Sequence, residues 1–394
     1  MEADLDRLRH DPAAWDAFVE ATETDFPLQL SAWATAKAAT GWQVERVVAD
    51  GGSGPIGGQL LVRRLGPGPF AMGYLPRGPV ARRFDAASVA AFTDALREVA
   101  RARRLTHVTA DPGLEGDAHD ALLAGAGWRR ADAVQLTSTQ VIDLTRSEEE
   151  LWSDVYKSSR RYANGARKRG CLVREGTEAD LPVFYDILVE TAERSGFIPR
   201  AFEAYRDVYR AFAAQGRALL LIGSLPDGRD VSSKLILTCG GRASQLYGGL
   251  TDAGGEIRAG HFFEWQAIVR CKAAGARVFD MWGRSTPGIA HFKQGFGGRV
   301  VEYGGTWDLV VNPGVHALVQ RGHRGLVWLA RRRRGLDAGP GGVIHGGPAA
   351  ATPGAATPAA ATPAGATPGA AATPGAAATP GAATPDGPDS GDED

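Results

Sequence analysis

The sequence Gly283-Arg284-Ser285-Thr286-Pro287-Gly288-Ile289-Ala290-His291-Phe292-Lys293-Gln294-Gly295-Phe296-Gly297-Gly298 separates two apolar runs. Ala276 to Trp282 before it and Val300 to Val311 after it both have the composition of strands. The stretch is therefore predicted to be a glycine-rich loop between strands, and glycine lets a backbone approach a ligand closely. Within this loop Lys293 offers a compact cation for a phosphate or a developing oxyanion. A tight turn with a solvated lysine fits the same pattern, and spacing alone leaves both interpretations open.

The composition allows a sizeable core and indicates a mildly basic body. The chain has 394 residues, of which 44% are hydrophobic. Six of its 45 acidic residues and none of its 44 basic residues follow Arg334, so residues 1–334 carry a formal charge of +5. Such a surface suits an anionic partner without requiring one.

Cysteine usage and the N-terminus favour a cytoplasmic location. Cys171, Cys239 and Cys271 are widely spaced and lack CxxC spacing, which indicates neither a disulfide framework nor a zinc site. The acidic start Met1-Glu2-Ala3-Asp4 has no apolar segment typical of a signal peptide. We also find no apolar run as long as the ~18 residues of a transmembrane helix.

The order of predicted elements repeats, which indicates two copies of one α/β unit. Segment Phe92–Asp111, a helix followed by a strand that ends in Asp, has the same layout as segment Phe262–Asp280. A strand near Val134–Leu144 is expected to complete the first unit. We predict a first domain at 1–144, a second at 145–302, and completion of the first by 303–334.

Two features lie near the C-terminus. Residues 336–394 form an Ala/Thr/Pro/Gly repeat with an acidic end, and they lack the large apolar residues that would offset ordering entropy, so we predict a disordered tail. Just before it, an apolar stretch ends in Arg331-Arg332-Arg333-Arg334. This segment is either a plain helix with a charged C-terminus or a contact for an anionic membrane surface.

No familiar catalytic motif is present. The sequence has no GxSxG, HExxH or P-loop pattern and its eight histidines are scattered, so neither a covalent nucleophile nor a metal is expected. Arg258-Ala259-Gly260-His261-Phe262, at the start of a predicted helix, partly matches the pyrophosphate loop of GNAT acetyltransferases. Its spacing and its missing second glycine point to an acyltransferase-like fold whose acyl donor is not CoA, and no cofactor is predicted.

Two further clusters could hold phosphate. A predicted helix carries Arg160, Arg161 and Arg167 with Tyr156 and Tyr162 among them, a pattern typical of nucleic-acid contact or of a solvated helix face. Arg200 and Tyr205 lie at another helix start, where they bind a phosphate or simply cap and pack.

An ordered set of segments spans roughly residues 25–315. These segments are Trp33 and Lys37 before Gly41-Trp42, Tyr74-Leu75-Pro76-Arg77-Gly78-Pro79-Val80, Ser159-Arg160-Arg161, Thr191 to Phe197, Tyr247-Gly248-Gly249, Asp280-Met281-Trp282-Gly283 and Phe292 to Gly298. Together they resemble the FemABX family of aminoacyl-tRNA-dependent peptidyltransferases, which build the interpeptide bridge of peptidoglycan precursors. The resemblance implies two tandem GNAT-like domains, here in the compact form without a coiled-coil arm.

The resemblance also implies roles for particular residues and two partners. Lys37 and Arg200 would bind the phosphate of UDP-MurNAc-pentapeptide or lipid II, with Tyr74, Arg77, Tyr205 and Tyr247 in the same groove. Phe292 and Lys293 would meet the 3′ end of the aminoacyl-tRNA, and the Arg160, Arg161 and Arg167 helix would bind the tRNA. Two positions depart from the family pattern: Ala204 stands where members keep a tyrosine, and Ala81-Arg82-Arg83 stands where many carry an acid.

Under this hypothesis a stem-peptide amine attacks an already activated ester, so the enzyme mainly positions substrates and stabilises an oxyanion. We expect Lys293 to supply the positive charge, directly or through a tRNA phosphate, and Lys293→Ala to cost about 10²-fold in turnover with little effect on folding. A CoA-dependent GNAT N-acetyltransferase and a non-catalytic tRNA- or membrane-surface-binding module remain the alternatives.

Overall fold

The computed structural model describes residues 2–317. The predicted tail at 336–394 and the Arg331–Arg334 run lie outside these residues. The strands are β1 (Gln43–Asp50), β2 (Pro55–Arg64), β3 (Ala71–Arg77), β4 (Val80–Ala81), β5 (Leu105–Pro112), β6 (Arg129–Ala131), β7 (Ser138–Asp143), β8 (Leu172–Glu175), β9 (Ala218–Ser224), β10 (Asp230–Cys239), β11 (Arg242–Leu250), β12 (Val278–Gly283), β13 (Arg299–Glu302) and β14 (Thr306–Val310).

The helices alternate with these strands along the chain. They are α1 (Glu2–His10), α2 (Pro12–Glu20), α3 (Ser31–Ala38), α4 (Ala86–Ala102), α5 (Asp120–Gly125), α6 (Glu148–Asp154), α7 (Lys157–Lys168), α8 (Leu181–Ser195), α9 (Phe202–Ala213), α10 (Asp252–Glu256), α11 (Gly260–Ala273) and α12 (Pro287–Gln294). Several of them begin at a side chain that caps the helix. Asp11 and Asp85 accept hydrogen bonds from the first turns of α2 and α4, and Ser147 and Glu150 form a capping box on α6.

Two mixed sheets organise the described residues. The first has the order β1-β2-β3-β5-β14-β6, with β4 paired to β2, and the second has the order β13-β7-β12-β11-β10-β9-β8. Each sheet contains one parallel pair, β3 with β5 and β11 with β12. In both cases a long helix, α4 or α11, leads into the second strand of the pair, because parallel strands need a crossover connection. This repetition confirms the predicted duplication of one α/β unit.

The parallel pair of the second sheet opens into a wedge. Pairing between β11 and β12 covers only Arg242–Ser244 against Val278–Asp280. The rest of β11, from Gln245, and the end of β12, Met281–Gly283, diverge from each other. We call this opening the β11–β12 wedge, and it exposes backbone groups that need other partners.

Three predictions of local structure are wrong. The stretch from Gly283 to Gly298 is not a continuous loop, because Pro287–Gln294 forms α12, with Thr286 accepting a hydrogen bond from the Ile289 N–H at 3.2 Å. The run from Val300 to Val311 is two strands in different sheets, interrupted at Gly305, which has a positive φ of 79°. The strand β7 pairs with β12 and β13 of the second sheet and so does not complete the first unit.

The chain returns to its first sheet near the end of the described residues. The strand β14 pairs with β5 and with β6, an arrangement that a discontinuous first domain requires. The domain boundaries themselves stay a prediction. One apolar cluster contains buried residues of both halves, among them Trp33 and Tyr74 with Phe184 and Tyr205, so both sheets share part of a core.

Two further expectations concern cysteines and membranes. The three cysteines are buried as free thiols, and the sequence likewise indicates no disulfide framework: Cys171, Cys239 and Cys271. Among residues 2–317, none of the helices has both the length and the apolarity needed to cross a bilayer.

Candidate active site

A buried lysine, Lys37, lies on α3 and forms no ion pair with a carboxylate among residues 2–317. Lys37 follows Trp33 by one helical turn, and its Nζ lies 4.3 Å from the centroid of the Trp33 ring. The residue is only 8% exposed. Burial, and then the charges of Arg200 and Arg63, hold the pKa of Lys37 well below its ordinary value. A lysine in this setting favours an anion that would restore its charge.

Two arginines, Arg63 and Arg200, place further positive charge near Lys37. Arg63 is the next-to-last residue of β2, with its guanidinium carbon 5.5 Å from the centroid of the Trp42 ring. Arg200 precedes α9 by two residues. Among residues 2–317 no carboxylate forms an ion pair with Lys37, Arg63 or Arg200. We call these three residues the cation cluster, and its chemistry suits a phosphate or diphosphate.

Tyrosines hold the backbone of Arg200 from two sides. The Arg200 N–H donates to the Tyr205 hydroxyl at 3.1 Å, and the Tyr185 hydroxyl donates to the Arg200 carbonyl at 3.0 Å. The ring of Tyr247 meets that of Tyr205 edge to face at 5.0 Å. The structure thus brings together Lys37, Arg200, Tyr205 and Tyr247, four of the predicted substrate-binding residues. Tyr205 makes this contact although it stands one residue beyond the position that the family pattern leads us to expect.

Tyr74 belongs to a second polar group at the ends of β3 and β5. Its hydroxyl donates to Asp111 Oδ2 at 3.3 Å and accepts from Gln135 Nε2 at 2.9 Å. The Arg77 N–H donates to Asp111 Oδ1 at 3.2 Å. Burial raises the pKa of Asp111 to about 6. Sequence reasoning gave Asp111 and Gln135 no functional role, and the only signal was an aspartate at the end of an apolar strand.

The side chain of Arg77 lies apart from the cation cluster. It is 3% exposed, donates to the Leu136 carbonyl at 2.9 Å and lies 4.2 Å from the centroid of the Tyr303 ring. Trp282 and Phe26 flank the same guanidinium at 5.4 and 5.5 Å. These contacts bury the Arg77 side chain among aromatic rings. The family resemblance implies instead that Arg77 lies in the substrate groove.

Lys293 lies on α12 with its ammonium group in the β11–β12 wedge. Its Nζ donates to the carbonyl oxygens of Met281, Trp282 and Gly283 at 2.6, 3.0 and 2.6 Å. An ammonium group has three N–H donors, and each finds one carbonyl. Burial lowers the pKa of Lys293 to about 8. The residue therefore holds the end of β12 in place and also keeps a positive charge in the wedge.

Buried polar side chains surround this ammonium group. Glu264 of α11 pairs with Lys234 of β10 and accepts from Gln245 Nε2 at 3.4 Å. Glu264 is 1% exposed, and its negative charge favours the charged form of Lys293. Sequence reasoning missed this pair because its members lie on different elements and show no spacing pattern.

Phe292 is part of an aromatic group beside α11. Its ring lies 5.0 Å from His261 and 5.3 Å from Phe296. A Cβ added to Gly260 would lie 3.8 Å from the Phe292 ring, so the ring packs against the first turn of α11. The structure therefore directs the neighbouring residues Phe292 and Lys293 of one short helix to different surroundings, with the first among rings and the second among carbonyls.

The basic helix α7 begins next to α12. The Tyr156 N–H donates to the Gly295 carbonyl at 2.9 Å, and Gly295 has no room for a Cβ because Ser159 Oγ would lie 2.6 Å away. Arg160 is engaged inside the fold, donating to the carbonyls of Trp152 and Ser153 at 3.1 and 2.9 Å. Arg161 and Arg167 are exposed, which leaves both side chains accessible to a polyanion.

Comparison with known proteins supports a family assignment. The model of the FemAB family matches residues 11–122, and the model of the acetyltransferase (GNAT) domain matches residues 153–294. Lipid II:glycine glycyltransferase of Staphylococcus haemolyticus (strain JCSC1435) is 23% identical over 390 residues, covering 78% of this chain and 93% of that protein. The protein of that name from Staphylococcus aureus (strain MRSA252) is 23% identical over 392 residues with the same coverage.

The chain resembles the FemABX family in sequence and in fold. The crystal structure of FemX shares its fold, with a TM-score of 0.69 and 21% identity over 77% of this chain and 97% of that one. The chain consists of two tandem GNAT-like units, as predicted, and it is an enzyme of the acyltransferase class.

Side chains of the protein itself pack around Arg258–Phe262, the segment that partly matches the pyrophosphate loop of GNAT acetyltransferases. The Arg258 guanidinium carbon lies 4.7 Å from the centroid of the Tyr162 ring, and the Tyr162 ring lies 5.1 Å from His261. With Phe292 against Gly260, these groups line the first turn of α11. In the predicted alternative, a CoA-dependent acetyltransferase, that turn would have to receive a pyrophosphate.

Proposed function

We propose that the protein transfers an amino acid from aminoacyl-tRNA to the side-chain amine of the stem peptide of a peptidoglycan precursor, either UDP-MurNAc-pentapeptide or lipid II. Resemblance to the FemABX family supports this proposal, as does similarity to the staphylococcal lipid II:glycine glycyltransferases. The observation that carries it is the cation cluster. The charges of Arg63 and Arg200 both act on Lys37, and among residues 2–317 none of the three forms an ion pair with an acid. Both precursors present a diphosphate that would pair with all three charges.

The reaction needs positioning more than it needs a nucleophilic side chain. The acceptor amine attacks the ester carbonyl of the aminoacyl group, forming a C–N bond and breaking the C–O bond to the tRNA ribose. The amine loses a proton and the departing ribose oxygen gains one. A positive charge near the tetrahedral oxyanion lowers the barrier, and Lys293 in the β11–β12 wedge is the candidate for that charge.

The two substrates would approach from different sides of the second unit. The precursor phosphates would lie on the cation cluster with Tyr205 and Tyr247 beside them. The tRNA would contact Arg161 and Arg167 on α7, whose first residue follows the Tyr156–Gly295 hydrogen bond at the end of α12. This arrangement would bring the tRNA 3′ end toward Phe292 and Lys293.

A reconstituted transfer assay tests the proposal. Full-length protein is incubated with a mixture of aminoacyl-tRNAs and either UDP-MurNAc-pentapeptide or lipid II, and the product is identified by mass spectrometry. We expect a precursor heavier by one or more amino-acid residues, with product lost when the tRNA is deacylated beforehand. Acetylation of the precursor from acetyl-CoA, or binding of both substrates without transfer, would instead support one of the two alternatives.

A further inference from the structure

Two histidines and an aspartate converge at one end of the first sheet, away from the cation cluster and the wedge. His107 lies on β5 and Asp308 on β14, two antiparallel neighbours in which His107 is opposite Val310 and Thr109 is opposite Asp308. Residues that pair directly share a face, and so do residues two apart on one strand. His107 and Asp308 are therefore diagonal neighbours on the same face, and His316 reaches them from the residues that follow β14.

The donor atoms of these three side chains are close enough to share one ion. One nitrogen of each histidine and one oxygen of Asp308 all lie within 4.8 Å of one another. His316 Nε2 is 3.8 Å from Asp308 Oδ2, and the two imidazole rings are 4.6 Å apart. Ligands around a tetrahedral Zn²⁺ ion at ~2.0–2.1 Å are separated by about 3.3 Å. Side-chain movements of up to about 1.5 Å would bring the donor atoms from within 4.8 Å to this separation.

Neighbouring hydroxyls orient the donors. Thr106 Oγ1 lies 2.8 Å from His107 Nδ1, and Thr109 Oγ1 donates to Asp308 Oδ1 at 2.6 Å. These bonds occupy one donor position of each residue and leave His107 Nε2 and Asp308 Oδ2 for a ligand. Hydrogen bonds of this kind fix metal-binding histidines and carboxylates in other proteins.

A second, independent observation comes from His316, whose ring nitrogens lack hydrogen-bond partners among the described residues. Its Nδ1 is buried and has no hydrogen-bond partner, and its Nε2 is too far from Asp308 for a hydrogen bond. Buried polar atoms are nearly always satisfied, so an orphaned imidazole nitrogen beside a carboxylate and a second imidazole requires an explanation. A metal ion bonded to either nitrogen of His316 would supply a partner that the described side chains do not provide.

We propose that His107, Asp308 and His316 form a binding site for a divalent transition-metal ion, with Zn²⁺ the best match to two imidazoles and a carboxylate. Three protein ligands leave a fourth position for water. The site joins β5, β14 and the residues after β14, which are also held by the Val311 and Asn312 N–H groups donating to the Thr106 carbonyl at 3.0 and 2.9 Å. The ion thus clamps the chain where it leaves the first sheet, a structural role separate from the transfer reaction.

Metal titration of the full-length protein tests this site. A preparation without an affinity tag is stripped with a chelator and titrated with Zn²⁺ in competition with a chromogenic chelator. Co²⁺ is titrated in parallel to read the coordination number from its visible spectrum. The variants are His316→Ala, Asp308→Asn and Thr106→Val, and the control is His10→Ala, which removes an exposed histidine of α1.

We expect one equivalent of Zn²⁺, a four-coordinate Co²⁺ spectrum, and a higher unfolding temperature with metal for wild type and His10→Ala. His316→Ala and Asp308→Asn should lose this site, while Thr106→Val should weaken it by about 10-fold or more, the usual effect of removing a hydrogen bond to a ligating histidine. Binding of less than one equivalent, or equal affinity in wild type and His316→Ala, would overturn the proposal. If His316→Ala and Asp308→Asn both lower the unfolding temperature, and metal does not change the unfolding temperature of the wild type, the cluster is a buried ion pair instead.

Discussion

The Nζ atom of Lys293 lies 2.6 Å from the carbonyl oxygen of Met281, and two further carbonyls of the same strand end complete its contacts. Trp282, in the middle of this strand end, has a positive φ of 61°, a conformation uncommon for a residue with a side chain. The ammonium group therefore stabilises a strained part of β12 where pairing with β11 has ended. Any catalytic role of Lys293 would be added to this structural one.

Lys293→Ala should lower stability as well as turnover. Removing the side chain leaves three carbonyls of the wedge without their donor, so we expect the free energy of unfolding to fall by about 2 kcal/mol, the scale of a hydrogen bond to a charged group. This expectation revises the sequence-based one of little effect on folding. Urea denaturation measures the change, with Lys157→Ala, an exposed position on α7, as the stability control. Equal loss in both variants would contradict it.

As the pH rises, the contribution of Lys293 to stability should increase and its contribution to turnover should decrease. Its pKa in the folded protein is about 8, below the ~10.4 of an unfolded chain. Between these values the unfolded state binds more protons, so the contribution of Lys293 to the free energy of unfolding rises with pH and is smallest below about pH 8. If the charge assists transfer, turnover falls as pH passes 8. Profiles of both quantities in wild type and Lys293→Met measure the difference, and a turnover fall that persists unchanged in Lys293→Met would assign it to another group.

Lys37→Met should stabilise the fold and weaken precursor binding. The substitution replaces a buried, unpaired cation by an apolar side chain of similar length, so the free energy of unfolding should rise by about 1 kcal/mol. The dissociation constant for UDP-MurNAc-pentapeptide should rise at least about 10-fold, since a charge-assisted hydrogen bond is lost. Calorimetry measures the binding.

The matched control for Lys37 is Lys272→Met. Lys272 Nζ donates to the carbonyls of Leu144 and Arg146 at 2.8 and 2.6 Å, so this variant should lose stability and keep its affinity for the precursor. Unchanged affinity in Lys37→Met would remove the cation cluster from the proposed phosphate site.

The arginines of α7 should separate into two classes. Arg161→Ala and Arg167→Ala remove exposed charges and should weaken tRNA binding, each reducing the slope of log affinity against log salt by about 1. Arg160→Ala should instead reduce stability, because its guanidinium holds the carbonyls of Trp152 and Ser153. Filter binding at several salt concentrations measures the first effect. Arg103→Ala, a surface charge paired with Glu45, is the control and should leave both properties unchanged.

Glu264 and Lys234 should be strongly coupled in stability. Glu264→Gln leaves Lys234 buried without its counter-charge and should cost about 3–5 kcal/mol, as should Lys234→Met, which leaves Glu264 unpaired. The double variant should cost clearly less than the sum of the two. A double-mutant cycle of denaturation curves measures this coupling, and additive losses would show that Lys234 and Glu264 are not energetically coupled.

Part of the candidate site follows directly from the sequence. Trp33 and Lys37 stand at helical spacing on α3, and Arg200 precedes a helix that carries Tyr205, so local patterns place each of them. Arg63, Asp111 and Glu264 were not identified as functional, because each is a single charged residue within or beside an apolar element. Their significance arises from neighbours that are distant in sequence, as the Lys234–Glu264 pair shows.

The sequence by itself determined the duplicated α/β layout and the family that the chain resembles, since periodic apolar patterns, caps and ordered local segments are properties of neighbouring residues. Only the tertiary structure decided where the charges act. Lys293 donates to three carbonyls, and Arg77 lies among aromatic rings. Among residues 2–317 the cation cluster forms no ion pair with an acid. The tertiary structure also joined His107 to Asp308 and His316 across about two hundred residues. Burial and distance in space set such interactions, and neither is encoded by spacing along the chain.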